Sequence, residues 1–457
     1  MKSSNNTTTK QGPTPRFTNQ QRMILLLLLG AGFMLSVDFS ILNVALPQVG
    51  AGVGMELAQL PWVVSAFALP AAGFTLLFGR LADLLGRRKL FLAAMALLIV
   101  ASLLGGFATN PEMLLAARVL QGLATAMAIP ASMSLLTTTF PEGPLRARAL
   151  GFNGALLSGG FTVGALVGGT LVSLLSWQAA FFINIPIALI ILCFTPFLLN
   201  ESKHPHHVKL DVPGAITVTG GLLALVYAII EKQLLIGAVG VLLLVAFWLI
   251  ELRSAAPLAS VRILKRPTVK WGNFAGLIIF VMEPAMIFLV TLYLQNILHM
   301  SPLATGLIFG IPGLASVVAG VIAGRFISRF GSRKVLTIGL VVQALATLPL
   351  VLLGADAALA LAILIPALFI GFFGHVSAIV AFTVTATAEL PNEEQGLATG
   401  LVSMTQQVAL TIGVPLLGAV AATQSVELAG VHLALAVNVA VTLVGTALIW
   451  YGLRQRA

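Results

Sequence analysis

Three ionisable residues, Asp38, Arg118 and Glu283, interrupt long apolar stretches of this sequence. A charge inside hydrocarbon is costly, so such residues face a partner or a water-filled cavity and mark function by default. Asp38 is read about eight residues from one end of its stretch, roughly 12 Å deep, and Arg118 at comparable depth from the same side. The competing reading is a fixed ion pair that only locks helices together. Glu283, about eleven residues into its stretch and followed by Pro284, is read near mid-bilayer, where loss of water disfavours a charged carboxylate. It is a candidate proton site or an anchor for a cationic substrate; the alternative is a neutral Glu bonded to a neighbouring helix. His375, Gln406 and Gln407 are further polar groups at membrane depth, able to relay a proton or bind a substrate, or to act as interhelical glue. With Asn43, Gln121 and Glu283 they make up the candidate cavity lining.

The elements that position these residues must be membrane helices. The chain has 457 residues, of which 58% are hydrophobic and 9% charged, too apolar for a soluble protein of this size. Its net charge of +10 does not point to nucleic acid, because the cations sit in short breaks between apolar runs of spanning length. One cysteine, Cys193, excludes an internal disulfide and a thiolate metal cluster. His204, His206 and His207 lack Cys or carboxylate neighbours at metal-site spacing, so no metal site is expected. The first apolar run exceeds a signal peptide's apolar region and has no convincing cleavage site, so it is expected to remain as helix 1.

Fourteen spans are predicted, near 22–46, 58–79, 89–108, 112–136, 148–174, 180–199, 211–231, 234–252, 272–296, 302–325, 333–354, 358–387, 395–421 and 430–453. Of 25 Lys and Arg, only Lys232 falls in an opposite-side loop and only Arg118 in the interior of a span, a few others standing at the span edges of the same side. The remainder share one side, which predicts cytoplasmic N- and C-termini. Residues 1–21 are polar and read as a disordered cytoplasmic tail.

Between spans 2 and 3 runs Gly79-Arg80-Leu81-Ala82-Asp83-Leu84-Leu85-Gly86-Arg87-Arg88-Lys89. Its glycines permit a tight reversal. A weaker copy, Gly324 to Lys334, stands 245 residues later (324 − 79), with Gly, Arg, Gly, Arg and Lys at the same offsets. This aligns span 2 with span 10. The expected units are then a six-helix half over 22–200, an inserted helix pair with linkers over 201–270, and a second half over 271–457. Parallel repeats of this kind are a transporter design, with the binding site between halves that rock against each other.

These motifs resemble the major facilitator superfamily, specifically its fourteen-span drug:proton antiporter family. Val37-Asp38-Phe39-Ser40-Ile41-Leu42-Asn43-Val44-Ala45-Leu46-Pro47 is similar to the helix 1 signature, with Ser40 where Thr is usual. The Gly79–Lys89 loop and Arg118-Val119-Leu120-Gln121-Gly122 match the superfamily's loop and helix 4 motifs. Gly160, Gly164, Gly168 and Gly169 resemble the helix 5 antiporter motif, with Ala165 for the usual Pro, and Trp177 through Pro186 resembles the opening of helix 6. Phe67 and Gln178 depart from a usual Tyr and Arg. The resemblance implies an all-α fold of two six-helix halves plus an inserted pair. It also implies that Asp38 and Arg118 couple protonation to conformational change. Gly79, Asp83, Gly86, Arg87 and Arg88 would form a conformational latch, Asp83 meeting the N-terminus of helix 13 near Gly396, where the dipole favours an anion. Ser328 replaces that acid in the second copy.

No phosphate loop, HExxH or GxSxG motif is present, so no enzyme is expected and the energy source is expected to be an ion gradient or the substrate's own gradient. The expectation is a monomeric, proton-coupled exporter of lipophilic, including cationic, drugs in the cytoplasmic (inner) membrane, without cofactor. The alternatives are a dedicated exporter of one metabolite, antibiotic, siderophore or lipid, a uniporter in which Asp38 and Arg118 are structural, and a membrane scaffold that moves nothing.

Overall fold

Thr18 opens the first helix through a capping box: its hydroxyl accepts from Gln21 N (3.2 Å) and its own N–H donates to Gln21 Oε1 (3.0 Å). Two of the donors that a helix start leaves unpaired are thereby satisfied. Asn110 and Asp356 cap the fourth helix of each expected half with the side chain alone, accepting from Met113 N and Leu359 N. The computed structural model describes residues 17–140, 144–201, 211–254, 257, 261–388, 390 and 392–454. Every regular element among them is helical.

The helices are α1 (Asn19–Val53), α2 (Leu60–Leu85), α3 (Arg87–Gly106), α4 (Pro111–Thr139), α5 (Pro144–Leu174) and α6 (Ala179–Leu198, interrupted at Ile183). They continue as α7 (Val212–Ile230), α8 (Leu234–Arg253), α9 (Pro267–Leu292, extended by a wider turn to Ile297) and α10 (Pro302–Phe330). The last four are α11 (Ser332–Thr347, tightening into a 3-10 turn to Leu352), α12 (Ala357–Ala386), α13 (Asn392–Ala421) and α14 (Glu427–Arg454). Among the described residues, 12 helices are long and apolar enough to cross a membrane, against the fourteen predicted. The other two, α2 and α5, carry shorter apolar stretches, Leu60–Thr75 and Thr162–Leu174.

Several helices outrun the predicted spans. The sequence reading ends helix 1 at 46, ahead of Pro47, but α1 continues to Val53 and stops where Gly54 turns left-handed (φ 78). A proline removes one backbone bond without ending a helix that neighbours support. Asp38 therefore lies near the middle of a 35-residue helix, deeper than the sequence reading places it.

In the first half α1 packs on α5, α2 on α4 and α3 on α4; in the second, α9 packs on α13, α10 on α12 and α11 on α12. Contacts between the two groups run through α5 with α10 and α2 with α13. The pair α7–α8 leans on this assembly through α7, which touches both α2 and α13. There Val218, Leu222 and Val226 of α7 join Leu69 and Ala72 of α2 and Ala398 and Leu401 of α13 in one buried cluster. Trp62 adds a hydrogen bond from Nε1 to Glu231 Oε1 at 3.2 Å.

The two copied loops share their geometry. Gly86 (φ 112) and Gly331 (φ 83) both hold the positive φ that lets one helix reverse directly into the next. Arg88 donates from Nη1 to Leu199 O (2.9 Å) at the end of α6, and Arg333 donates from Nη1 to Leu453 O (3.3 Å) at the end of α14. The first copy also places an acid at the turn. Glu201 accepts from Arg88 N (3.1 Å) and Lys89 N (3.2 Å), so a carboxylate caps α3 where the helix dipole favours negative charge.

Candidate functional site: two buried polar clusters

The helix 4 sequence Arg118-Val119-Leu120-Gln121-Gly122 sets Arg118 and Gln121 three residues apart, on one helical face. Gly122 brings that face close to α2: a Cβ there would stand 2.2 Å from Phe67 O. Arg118, 1% exposed, is consequently pressed into the core. Its Nη1 lies 3.3 Å from Asp38 Oδ2, its Nε donates to Val63 O (3.1 Å), and its guanidinium stacks 4.5 Å over the Phe67 ring. The same Nη1 donates to Gln121 Oε1 (2.7 Å), and Gln121 Nε2 passes the connection on to Asp38 Oδ1 (3.2 Å).

Two residues absent from the predicted site complete the cluster. Asn184 donates from Nδ2 to Asp38 Oδ1, and Ser102 Oγ lies 3.4 Å from both Gln121 Nε2 and Asn184 Nδ2. Asn184 follows the interruption of α6 at Ile183. Aromatic–glycine contacts seat that segment: Phe181 fills the space over Gly105, and Phe182 that over Gly106, at the end of α3. The Trp177–Pro186 motif thus delivers a polar side chain to Asp38. Asn184 was legible in that motif, but nothing in the spacing linked it to helix 1. Four helices, α1, α3, α4 and α6, meet at one carboxylate. A buried ion pair is not in itself stabilising, since desolvation offsets its attraction, and bonds to the remaining lone pairs are what make it tolerable.

Glu283, on α9, is 7% exposed and has His375 of α12 as its partner, with Nε2 3.5 Å from Oε2. His375 Nδ1 lies 3.4 Å from Gln343 Oε1 on α11. Phe280 and Phe372 meet the imidazole with centroids 6.4 and 6.0 Å away. Glu283 follows Asp38 by 245 residues, the offset of the two loops. That arithmetic was available from sequence, although position alone had singled out Glu283. Asn438 on α14 likewise donates from Nδ2 to Met282 O (2.6 Å), beside Glu283, as Asn184 reaches Asp38 in the other half.

The glycine stripe of α5 runs along α1 next to Asp38. Cβ atoms at Gly160, Gly164 and Gly168 would lie 2.8 Å from Ser36 Cβ, 2.7 Å from Val37 O and 2.8 Å from Ile41 Cα. Gly169 instead faces α10, 2.4 Å from Pro302 O by the same measure. Small residues here allow backbone-to-backbone packing. On α13, Gly413 repeats the device against α9, at Val281 O.

Of the other predicted lining residues, Asn43 is buried and bonds back to Phe39 O (2.9 Å), while Gln121 is consumed by the Asp38 cluster. Gln406 and Gln407 are half-buried on α13. In the predicted latch, Gly79 packs against Pro130 of α4, Arg87 is buried, and Gly86 and Arg88 face Glu201 and the end of α6. Asp83 in α2 and residues 392–397 at the start of α13, its expected partner region, have side chains outside the described set, and His204, His206 and His207 lie outside the described residues. At their C-terminal ends α1 and α9 are clasped: Gln48 Nε2 donates to Gln295 Oε1 (2.8 Å) and Gln295 Nε2 to Val44 O (2.8 Å). Leu303 N donates to Ser173 Oγ (2.9 Å) between α10 and α5.

Twelve helices long and apolar enough to span a membrane among the described residues, two repeated loops and paired buried clusters fit a multi-pass membrane transporter. Residues 28–414 match the Major Facilitator Superfamily, and the chain belongs to it. Its members are transporters, not enzymes. The chain is 36% identical over 422 residues to the puromycin resistance protein pur8 of Streptomyces alboniger, covering 90% of this chain and 83% of that one. It is 35% identical over 421 residues to the cephamycin export protein CmcT of Amycolatopsis lactamdurans (89% and 86% covered). It is 29% identical over 415 residues to the multidrug resistance protein Stp of Mycobacterium tuberculosis strain H37Rv (88% and 76%). Among solved structures, an auto-inhibited peptide transporter of the POT family superposes with a TM-score of 0.74 at 15% identity, covering 95% of this chain and 97% of that one. That likeness concerns the fold alone.

Proposed function

We propose that this transporter is a proton-coupled antiporter that exports lipophilic drugs, cations among them, by alternating access. The observation that carries the coupling is the Asp38–Arg118 pair, buried at 1% exposure on both sides and bonded to Gln121 and Asn184. A proton on Asp38 cancels the charge that holds Arg118, and the two arrangements of the cluster then favour opposite-facing states. Glu283 with His375 serves as a second proton site or as a substrate anchor. Export as the direction of transport is supported by the relatives named for resistance and export.

In this reading all fourteen helices cross the cytoplasmic membrane, α2 and α5 included, with both termini in the cytoplasm, a sidedness that the Lys/Arg distribution supports. Helices α1–α6 and α9–α14 are the moving halves, α7–α8 is the inserted pair, and the working unit is a monomer. The clasp of Gln48 with Gln295 and Val44 O is the closed outer gate, because it joins the halves at the ends remote from the basic loops.

The test uses purified protein in liposomes with an imposed pH gradient and a trapped pH dye, to which ethidium or puromycin is added. Substrate-triggered proton movement in the wild type and its loss in Asp38→Asn are expected. Substrate movement without proton flux in the wild type would leave a uniporter. A second reading, export of one dedicated antibiotic, is favoured by the names of two relatives at 36% and 35% identity, each tied to a single antibiotic. A panel of unrelated lipophilic compounds, of which only one is transported, would select it.

A further inference from the structure

A cavity of about 760 Å³ opens where α8, the 261–265 turn, α9, α13 and α14 meet, away from Asp38 and Glu283. Its size suits a small amphipathic molecule. One end is basic and aromatic: Arg262, Lys265 and Lys270 line it together with Trp248 and Trp271. Arg262 is tethered through Nε (3.1 Å) and Nη2 (2.5 Å) to Leu252 O, and the Lys270 ammonium sits 5.4 Å over the Trp271 ring. None of the described lining residues is acidic. The polar floor, Asn273 and Thr405, is closed on itself by a 2.8 Å hydrogen bond. The remaining wall, Phe274, Leu277, Leu401 and Leu448, is apolar.

A second slot of about 280 Å³ continues from this cavity, sharing Phe274 and Leu448 and reaching Ile278, Val441 and Gly445. The order along α9 fixes the polarity of the track. The cation at Lys270 comes first, at the helix start, and the apolar residues 274, 277 and 278 follow one and two turns deeper. A basic mouth at the membrane surface that leads into a hydrocarbon-lined groove has the layout of one lipid molecule. Tryptophans at the mouth are placed as interfacial anchors, and basic pockets between helices on the cytoplasmic side recognise anionic headgroups.

We propose that this groove binds one anionic phospholipid of the leaflet that faces the basic loops. Its phosphate lies between Lys265 and Lys270, beside the tethered Arg262, and an acyl chain follows Phe274 and Leu448 into the apolar slot. The lipid then wedges the inserted pair, through α8 and the 261–265 turn, against α9 and α14 of the second half.

The test is native mass spectrometry of the full chain released from nanodiscs of phosphatidylcholine with a minor fraction of phosphatidylglycerol. The wild type is expected to retain one phosphatidylglycerol. In Lys265→Gln/Lys270→Gln, which removes two surface cations and leaves the Arg262 tether in place, retention falls by about tenfold or more. Leu448→Trp, which fills the junction of the two spaces, is expected to lose the lipid with the cations intact. Arg325→Gln/Arg329→Gln, which alters cations elsewhere on the same side, keeps it. Equal retention by the Lys265/Lys270 variant and the wild type, or indifference of the wild type to phosphatidylglycerol over phosphatidylcholine, overturns the proposal. The readout is lipid retention, so it stands or falls independently of proton coupling.

Discussion

Glu283 holds in the second half the register that Asp38 holds in the first: the two acids are 245 residues apart, and each meets a nitrogen base from the fourth helix of its own half. The chemistry is not duplicated with the register. Asp38 faces Arg118, a guanidinium whose nitrogens only donate, whereas Glu283 faces an imidazole whose ring nitrogens can donate or accept according to tautomer. An internal repeat has thus supplied two carboxylates at equivalent places with different partners.

Removing one member of the Asp38–Arg118 pair leaves the other buried without a counter-charge. Asp38→Ala is therefore expected to lower stability by about 3–5 kcal/mol, read as a fall in the melting temperature of the detergent-solubilised protein. Asp38→Asn, which keeps an acceptor for Asn184 and Gln121, should melt closer to wild type yet lose coupled proton flux. Equal melting of all three proteins would show that the pair carries no structural load.

Glu283→Gln retains a hydrogen-bonding group opposite His375 and should fold normally. If Glu283 anchors cationic cargo, transport of ethidium falls while that of an uncharged compound persists in the same liposomes. If it is a second proton site, both fall together under a pH gradient.

Gly164 is packed so that a Cβ would stand 2.7 Å from Val37 O, a backbone atom that cannot step aside. Gly164→Ala is expected to cost about 1–3 kcal/mol through forced separation of α1 and α5. Gly159, with nothing within 4 Å of its Cβ position, is the matched control. Thermal unfolding of the two variants should differ clearly.

Glu201 caps α3 through Arg88 N and Lys89 N. Glu201→Ala should cost about 1 kcal/mol, in line with loss of a helix cap, measurable as a shift in the melting midpoint.

The single cysteine simplifies a test of sidedness. In a Cys193→Ser background, Gln233→Cys lies between α7 and α8, and Arg454→Cys lies at the end of α14. An impermeant maleimide added to intact cells is expected to label the first and not the second. The reverse pattern would invert the orientation.

Much of this architecture was legible in the sequence, because hydrocarbon imposes long apolar runs and topology forces cations into one set of loops. The repeat was visible in Gly79–Lys89 and its copy, and both copies adopt the reversal that their glycines suggest. Helix ends were less legible. Pro47 reads as a terminator but sits inside α1, since the backbone bond it forgoes is one among many in a supported helix. Ser102, Asn184 and Gln343 were not predicted, because a partner brought in from another helix leaves no mark in local spacing. Asn43 donates from Nδ2 to its own helix at Phe39 O, a bond that the sequence leaves unspecified.

The glycine stripe also has a mechanical meaning. With Gly160, Gly164 and Gly168 seated on Ser36, Val37 and Ile41, α1 and α5 are meshed like a rack and cannot slide independently. The other side of α5 is braced on α10 by Gly169 at Pro302 and by Gly306 and Gly313 of α10 against Ala165 and Thr162. Any parting of the seam between α5 and α10 must pull on α1 with little slack, and Asp38 rides at the centre of that beam. A tilt begun at the far edge of the molecule would reach the carboxylate as a displacement against Arg118, with no messenger other than stiffness.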